Sequence, residues 1–66
     1  MEIRLNGESY ACAAPFTAAD LLASLGVRSG TVVVEINRRV VPRERLQEET
    51  LGEGDAVEVI RLVGGG

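Results

Sequence analysis

Asn6-Gly7 limits how this chain can fold more than any other pair of residues in it. Before it, Met1, Ile3 and Leu5 alternate with Glu2, Arg4 and Asn6, the period of a strand with one face buried and one wet. Asn-Gly supplies the two positive-φ positions of a type I′ turn, the tightest reversal whose twist matches that of paired strands. Glu8 to Ala13 is therefore expected to return antiparallel as the second strand of a hairpin. With 66 residues in total, the rest of the chain has to cover this hairpin within one domain and one modest core.

Pro15 is expected to close the second strand, and the period then changes. Thr17 stands three residues before Asp20, a capping box with Asp in place of the usual Glu or Gln. Ala18, Leu21, Leu22 and Leu25 share one face at helical spacing, and Gly26 sits where a left-handed C-cap is needed, so a helix is expected over 18–25. After a Ser29-Gly30 turn, Thr31 to Asn37 is dense in β-branched residues and reads as a strand packed on at least one face. Another turn over Asn37 to Arg39 leads to a short Val40-Val41 strand, which Pro42 must end or place at an edge. Arg43 to Glu49 is polar apart from Leu46 and reads as a crossover with one helical turn. The Gly52-Glu53-Gly54-Asp55 turn then opens a final strand, Ala56 to Val63, expected to lie buried in the middle of the sheet.

This order of elements predicts an α+β layer, one helix laid across a mixed sheet of four to five strands. The last strand has to find an open edge beside the first and pair with it in parallel. That is the β-grasp, or ubiquitin-like, arrangement, with a domain over 1–63 and a flexible glycine tail over 64–66.

Composition narrows the function. The formal net charge is -3 and all seven basic residues are arginines. Nucleic acid, whose binding rests on phosphate neutralisation, is not an expected partner; a basic protein face is. The apolar runs are too short to span a bilayer, so no membrane is expected. No secretory signal opens the sequence, and Cys12 is a lone thiol, both of which point to the cytoplasm. Without histidine, the nucleophile-base pairs and the commonest metal sites are missing, so neither a catalytic residue nor a metal ligand is assigned. Cys12 reads as a small core or half-buried strand residue.

The remaining feature is Gly64-Gly65-Gly66. At background glycine usage of about 7%, three glycines at the last positions arise by chance in roughly three chains per ten thousand, so the run calls for a reason. Residues without Cβ adopt whatever φ and ψ a narrow slot imposes and let backbone approach backbone closely. A carboxylate threaded into such a slot can attack the α-phosphate of ATP to form an acyl adenylate, and Gly66 leaves the acyl carbon unhindered for the next nucleophile. An extended tail also adds main-chain hydrogen bonds to a partner.

Leu5-Asn6-Gly7-Glu8, the stretch from Val34 to Glu44 (VEINRRVVPRE), Gly54-Asp55, and Arg61-Leu62-Val63-Gly64-Gly65-Gly66 together resemble the ThiS family, the sulfur carrier proteins of thiamine biosynthesis, over essentially the whole chain. The resemblance implies that a ThiF-like adenylating enzyme, using its own ATP and magnesium, converts the Gly66 carboxylate to an acyl adenylate. A persulfide sulfur donor then displaces AMP to leave a thiocarboxylate, and thiazole synthase takes the sulfur. Gly64 and Gly65 give access to the enzyme's site, and Leu62, Val63 and Arg61 are the expected partner contacts. The chain is then a protein co-substrate, not an enzyme, and binds no cofactor itself. The alternatives are a molybdopterin-type sulfur carrier, a ubiquitin-like protein modifier, or a plain β-grasp interaction module.

Three further groups have two readings each. Arg38, Arg39, Arg43 and Arg45 form either a docking patch or a solvated face interleaved with Glu44, Glu48 and Glu49. Arg61 either guides the tail or pairs with Glu58 or a neighbouring strand. Tyr10 and Phe16 read as core or helix-entry packing, since one pair makes no base-stacking platform.

Overall fold

The computed structural model describes residues 1–13 and 16–62. Strands β1 (Glu2–Leu5) and β2 (Glu8–Ala11) form the expected hairpin, with Asn6 at φ 50° and Gly7 at φ 85°. Their antiparallel register sets Ile3 opposite Tyr10 and Leu5 opposite Glu8. Strand β2 stops at Ala11, two residues short of the expected end, although the Cys12 amide still donates to the Met1 carbonyl at 2.9 Å. The closure assigned to Pro15 lies outside the described residues.

Helix α1 (Ala18–Leu25) begins and ends where its caps dictate. The Thr17 hydroxyl accepts from the Asp20 amide at 3.1 Å, and the Asp20 carboxylate accepts from the Thr17 amide at 2.9 Å. Asp thus closes the box as Glu would, satisfying two of the amides a helix start leaves unpaired. Gly26 adopts φ 69°, the left-handed C-cap. Ala18, Leu21 and Leu22 are buried on the sheet side. Ser24 donates to the Leu21 carbonyl at 2.8 Å and therefore accepts from the Tyr10 hydroxyl, 2.9 Å away, which ties the helix to the edge strand.

Strands β3 (Val32–Ile36) and β4 (Arg39–Val41) make a second hairpin, and β5 (Ala56–Arg61) completes a five-stranded sheet of order β2-β1-β5-β3-β4. Strand β5 enters last, in the centre, parallel to β1 and antiparallel to β3, as the β-grasp requires. The core joins Ile3, Val34, Ile36, Val41 and Val57 of the sheet to the helix through Leu21 and Leu22. The crossover contributes Leu46 and Leu51, both buried, and carries a single 3-10 turn at Arg43–Arg45. Cys12 is half-buried against this core, as are Tyr10 and Phe16.

No helix of the described residues is long and apolar enough to cross a membrane. The tail over 64–66, expected to be flexible, and Val63, expected to end the last strand, lie outside the described residues.

Candidate functional site

Strand β5 precedes the glycine run in the sequence, and its two ends are held differently. At its start it is held on both sides. The Arg4 amide donates to the Asp55 carbonyl and the Asn6 amide to the Val57 carbonyl, each at 2.9 Å. On the other side, the Asn37 amide donates to the Ala56 carbonyl at 2.7 Å, and the Asn37 side chain accepts from the Ala56 amide at 3.0 Å. The same side-chain amide donates to Asp55 at 3.1 Å, while the Asp55 carboxylate accepts from the Gly52 amide at 2.7 Å. Asn37 and Arg38 both have positive φ, 51° and 70°, so the turn of the second hairpin has the same double left-handed character as Asn6-Gly7. Val57, at 1% exposure, is fixed in the core.

The finish of β5 is held on one side. Antiparallel pairing with β3 sets Val34 opposite Val59 and Val32 opposite Arg61, and the Leu62 amide donates to the Thr31 carbonyl at 2.9 Å. On the β1 side, pairing stops at Leu5 and Val57. Asn6 extends it by one step, its side-chain oxygen accepting from the Val59 amide at 2.9 Å. The expectation that the last strand lies buried holds for Val57, with Val59 half-buried, and not for the rest: Ala56 and Glu58 are exposed, and Ile60 is 41% and Leu62 52% exposed. The reason is layer geometry, since one eight-residue helix covers one face of the sheet and leaves the other to solvent.

Because side chains alternate across a strand, the register sorts them between faces. Val57, Val59 and Arg61 share the helix-side face with Val34 and Val32, whereas Glu58 and Ile60 share the outer face with Glu35 and Val33. Val40 of β4, opposite Glu35, joins them and is 61% exposed. Ile60, Leu62, Val33 and Val40 thus give the outer face an apolar character that runs to the start of the tail, and exposed apolar surface of this kind marks contact sites. Arg61 and Glu58 point to opposite faces, so the ion pair considered between them does not form. Of the expected partner contacts, Leu62 and Arg61 stand exposed at the strand end, while Val63, Gly64, Gly65 and Gly66 lie outside the described residues. The contribution of Ile60, Val33 and Val40 was signalled by the alternation of the two strands but needed their register to become one surface.

The arginine-rich segment is elsewhere. Arg38 and Arg39 sit at the hairpin end of β3 and β4, level with the start of β5, and Arg39 and Arg45 line a groove with Ile36, Val41, Asp55 and Glu49. Arg43 folds against Gly30, its guanidinium 3.2 Å from where a Cβ would stand. The cluster is therefore split along the sheet: Arg38 and Arg39 lie level with the start of β5, whereas Arg43 packs against Gly30, next to Thr31, whose carbonyl accepts from the Leu62 amide at the finish of β5. Among the described residues, no group of three or more His, Cys, Asp or Glu side chains is placed to hold a metal ion.

Against this geometry, the similarity to known proteins is consistent along the chain. A crystal structure of a thiamine biosynthesis protein (ThiS) from Geobacter metallireducens superposes with a TM-score of 0.87 at 35% identity, covering the whole of both chains. The sulfur carrier protein ThiS of Escherichia coli (strain K12) is 32% identical over the full length of both. A thiazole synthase of Paramagnetospirillum magneticum is 36% identical over all 66 residues, although the chain spans only 20% of that larger protein. The model of the ThiS family matches residues 3–66, and the chain, a β-grasp domain whose central strand leads into three glycines, belongs to that family.

Proposed function

We propose that this protein carries sulfur for thiamine biosynthesis on the carboxyl group of Gly66. The observation that carries the reading is the asymmetry of β5, anchored on both sides at Ala56 and Val57 and exposed at Ile60 and Leu62, immediately before the glycine run. A rigid domain that ends in unhindered residues suits a carboxylate that several enzymes must reach in turn.

In the first step a Gly66 carboxylate oxygen attacks the α-phosphorus of ATP in a ThiF-like adenylating enzyme, releasing pyrophosphate and forming an acyl adenylate. ATP and magnesium belong to that enzyme. The terminal sulfur of a persulfide then attacks the acyl carbon and expels AMP. A second thiol reduces the resulting acyl disulfide to the thiocarboxylate. Thiazole synthase takes the sulfur, and the carboxylate returns. Gly64 and Gly65 contribute freedom of φ and ψ within each enzyme's slot, while Leu62, Val63 and Arg61 meet the enzyme surface. Thiazole synthase as the acceptor is supported by two proteins of that name that contain a segment similar to the whole of this chain. The lone half-buried thiol suits a reducing compartment, and we take the cytoplasm as the place of the cycle.

Genetic complementation tests the reading. In a bacterium lacking its own thiazole sulfur carrier, this chain is expected to restore growth without thiamine, and the chain lacking Gly65 and Gly66 is not. Equal growth with both versions would remove the tail from the mechanism. Rescue of a molybdopterin defect instead would move the carrier to another product.

A further inference from the structure

From the backbone at the end of β5, we infer that the enzyme that activates Gly66 adds an extended segment of its own chain beside Arg61, continuing the sheet where β1 stops. The inference rests on the reading of Gly66 as the activated group and goes beyond it in naming how the partner holds the domain.

The hydrogen-bond directions along β5 define the edge. Ala56 bonds the Asn37 amide and Leu62 bonds Thr31, so even-numbered residues direct their main chain toward β3. Odd-numbered ones face β1: Asp55 and Val57 accept from Arg4 and Asn6, and Val59 donates to the Asn6 side chain. Arg61 is the next residue in that series. Its register partner, Val32, forms the non-hydrogen-bonded kind of antiparallel pair, leaving the Arg61 amide and carbonyl aimed at the β1 side. There the hairpin has already turned away at Asn6-Gly7, and no described residue bonds to that amide or carbonyl. An unpaired donor and acceptor on an exposed strand edge are a template for one more strand.

Reach and charge select the occupant. Four residues separate Leu62 from the end of the sequence, and even fully extended they span at most about 14 Å. An enzyme that encloses the Gly66 carboxylate must therefore lie against the strand end. On the outer face the neighbours of this edge are Ile60 and Leu62, exposed and apolar, with Glu58 and Glu35 directly opposite one another beyond them. Like charges so placed repel, and a cation from outside relieves both. The fitting segment is extended, apolar where it passes Ile60 and Leu62, and carries a long basic side chain that reaches across the outer face of β5 toward Glu58 and Glu35.

Amide hydrogen exchange read residue by residue tests this in the complex with the cognate adenylating enzyme and a non-hydrolysable ATP analogue. The Arg61 amide is expected to exchange freely in the isolated protein and to slow by about tenfold or more in the complex, while the Leu62 amide, bonded to Thr31, is protected in both. A chemically synthesised chain N-methylated at Arg61 should keep its Tm, since no internal bond is lost, yet bind the enzyme about tenfold more weakly. Glu35→Gln combined with Glu58→Gln should weaken binding by about two- to tenfold. An Arg61 amide that exchanges equally fast in the complex, or an N-methylated chain adenylated as well as the unmodified one, overturns the inference and leaves the function standing. Concentration-dependent protection of Arg61 in the protein alone overturns it in favour of pairing between two copies. Failure of the unmodified chain to bind or be adenylated removes both the inference and the reading beneath it.

Discussion

The two ends of β5 differ in nearly every respect although six residues make the whole strand. Ala56 and Val57 lie between β1 and β3, are bracketed by the Asn37 and Asp55 side chains, and include one of the least exposed residues of the protein. Ile60 to Leu62 keep one strand neighbour and expose their apolar side chains. A single strand is anchored at one end and open at the other, which is what the proposed function requires. The difference arises from where β1 stops: its hairpin reverses at Asn6-Gly7, and the neighbour that would have covered Arg61 turns back instead.

Substitutions at the anchored end should cost stability, and those at the free end should cost partner binding. The largest loss is expected for Val57→Ala, about 2 kcal/mol in chemical denaturation, from a methyl-lined cavity among residues that cannot close on it. Asn37→Ala should cost about 1–2 kcal/mol, because the Ala56 amide loses its acceptor. Asn37→Gly, which keeps the positive φ, separates the hydrogen bond from the backbone contribution. Arg38→Gly should gain about 0.5–1 kcal/mol, since Arg38 holds a left-handed conformation that costs a side-chain-bearing residue. Ile60→Ser and Leu62→Ser should each change stability by less than about 0.5 kcal/mol while weakening capture by the adenylating enzyme, as a pull-down titration would show. A Leu62→Ser chain that unfolds like Val57→Ala, or binds like the parent, would erase the contrast between the ends.

Much of the fold was legible in the sequence because its signals are local. Asn6-Gly7 specifies its own turn, Thr17 and Asp20 their own cap, and Gly26 its own termination, each within a few residues. The parallel β1–β5 pairing followed from the order of elements. The free end was harder: alternation separates Ile60 and Leu62 from Val57 and Val59 but does not say which face the helix covers, and the open edge at Arg61 depends on where β1 stops. For the same reason Arg61 could be set against Glu58 in sequence, three positions apart, while the pleat sends them to opposite faces. The arginine cluster could be read as a docking patch or a solvated face because charge density is visible without position, and the structure then divides it, with Arg38 and Arg39 level with the start of β5 and Arg43 against Gly30 near its finish. Asn37 was read as a turn residue; its second role, holding Ala56 and Asp55, depends on a strand that follows nineteen residues later.

Intact-mass spectrometry of the purified chain, incubated with its cognate adenylating enzyme, ATP, magnesium and a persulfide donor with thiol, tests the central claim most directly. The account predicts a mass rise equal to one oxygen exchanged for one sulfur, located at Gly66 by fragmentation and abolished by deletion of Gly65 and Gly66. An unchanged mass in the presence of an enzyme shown to be active on another carrier, or sulfur found at Cys12 instead of Gly66, would contradict it.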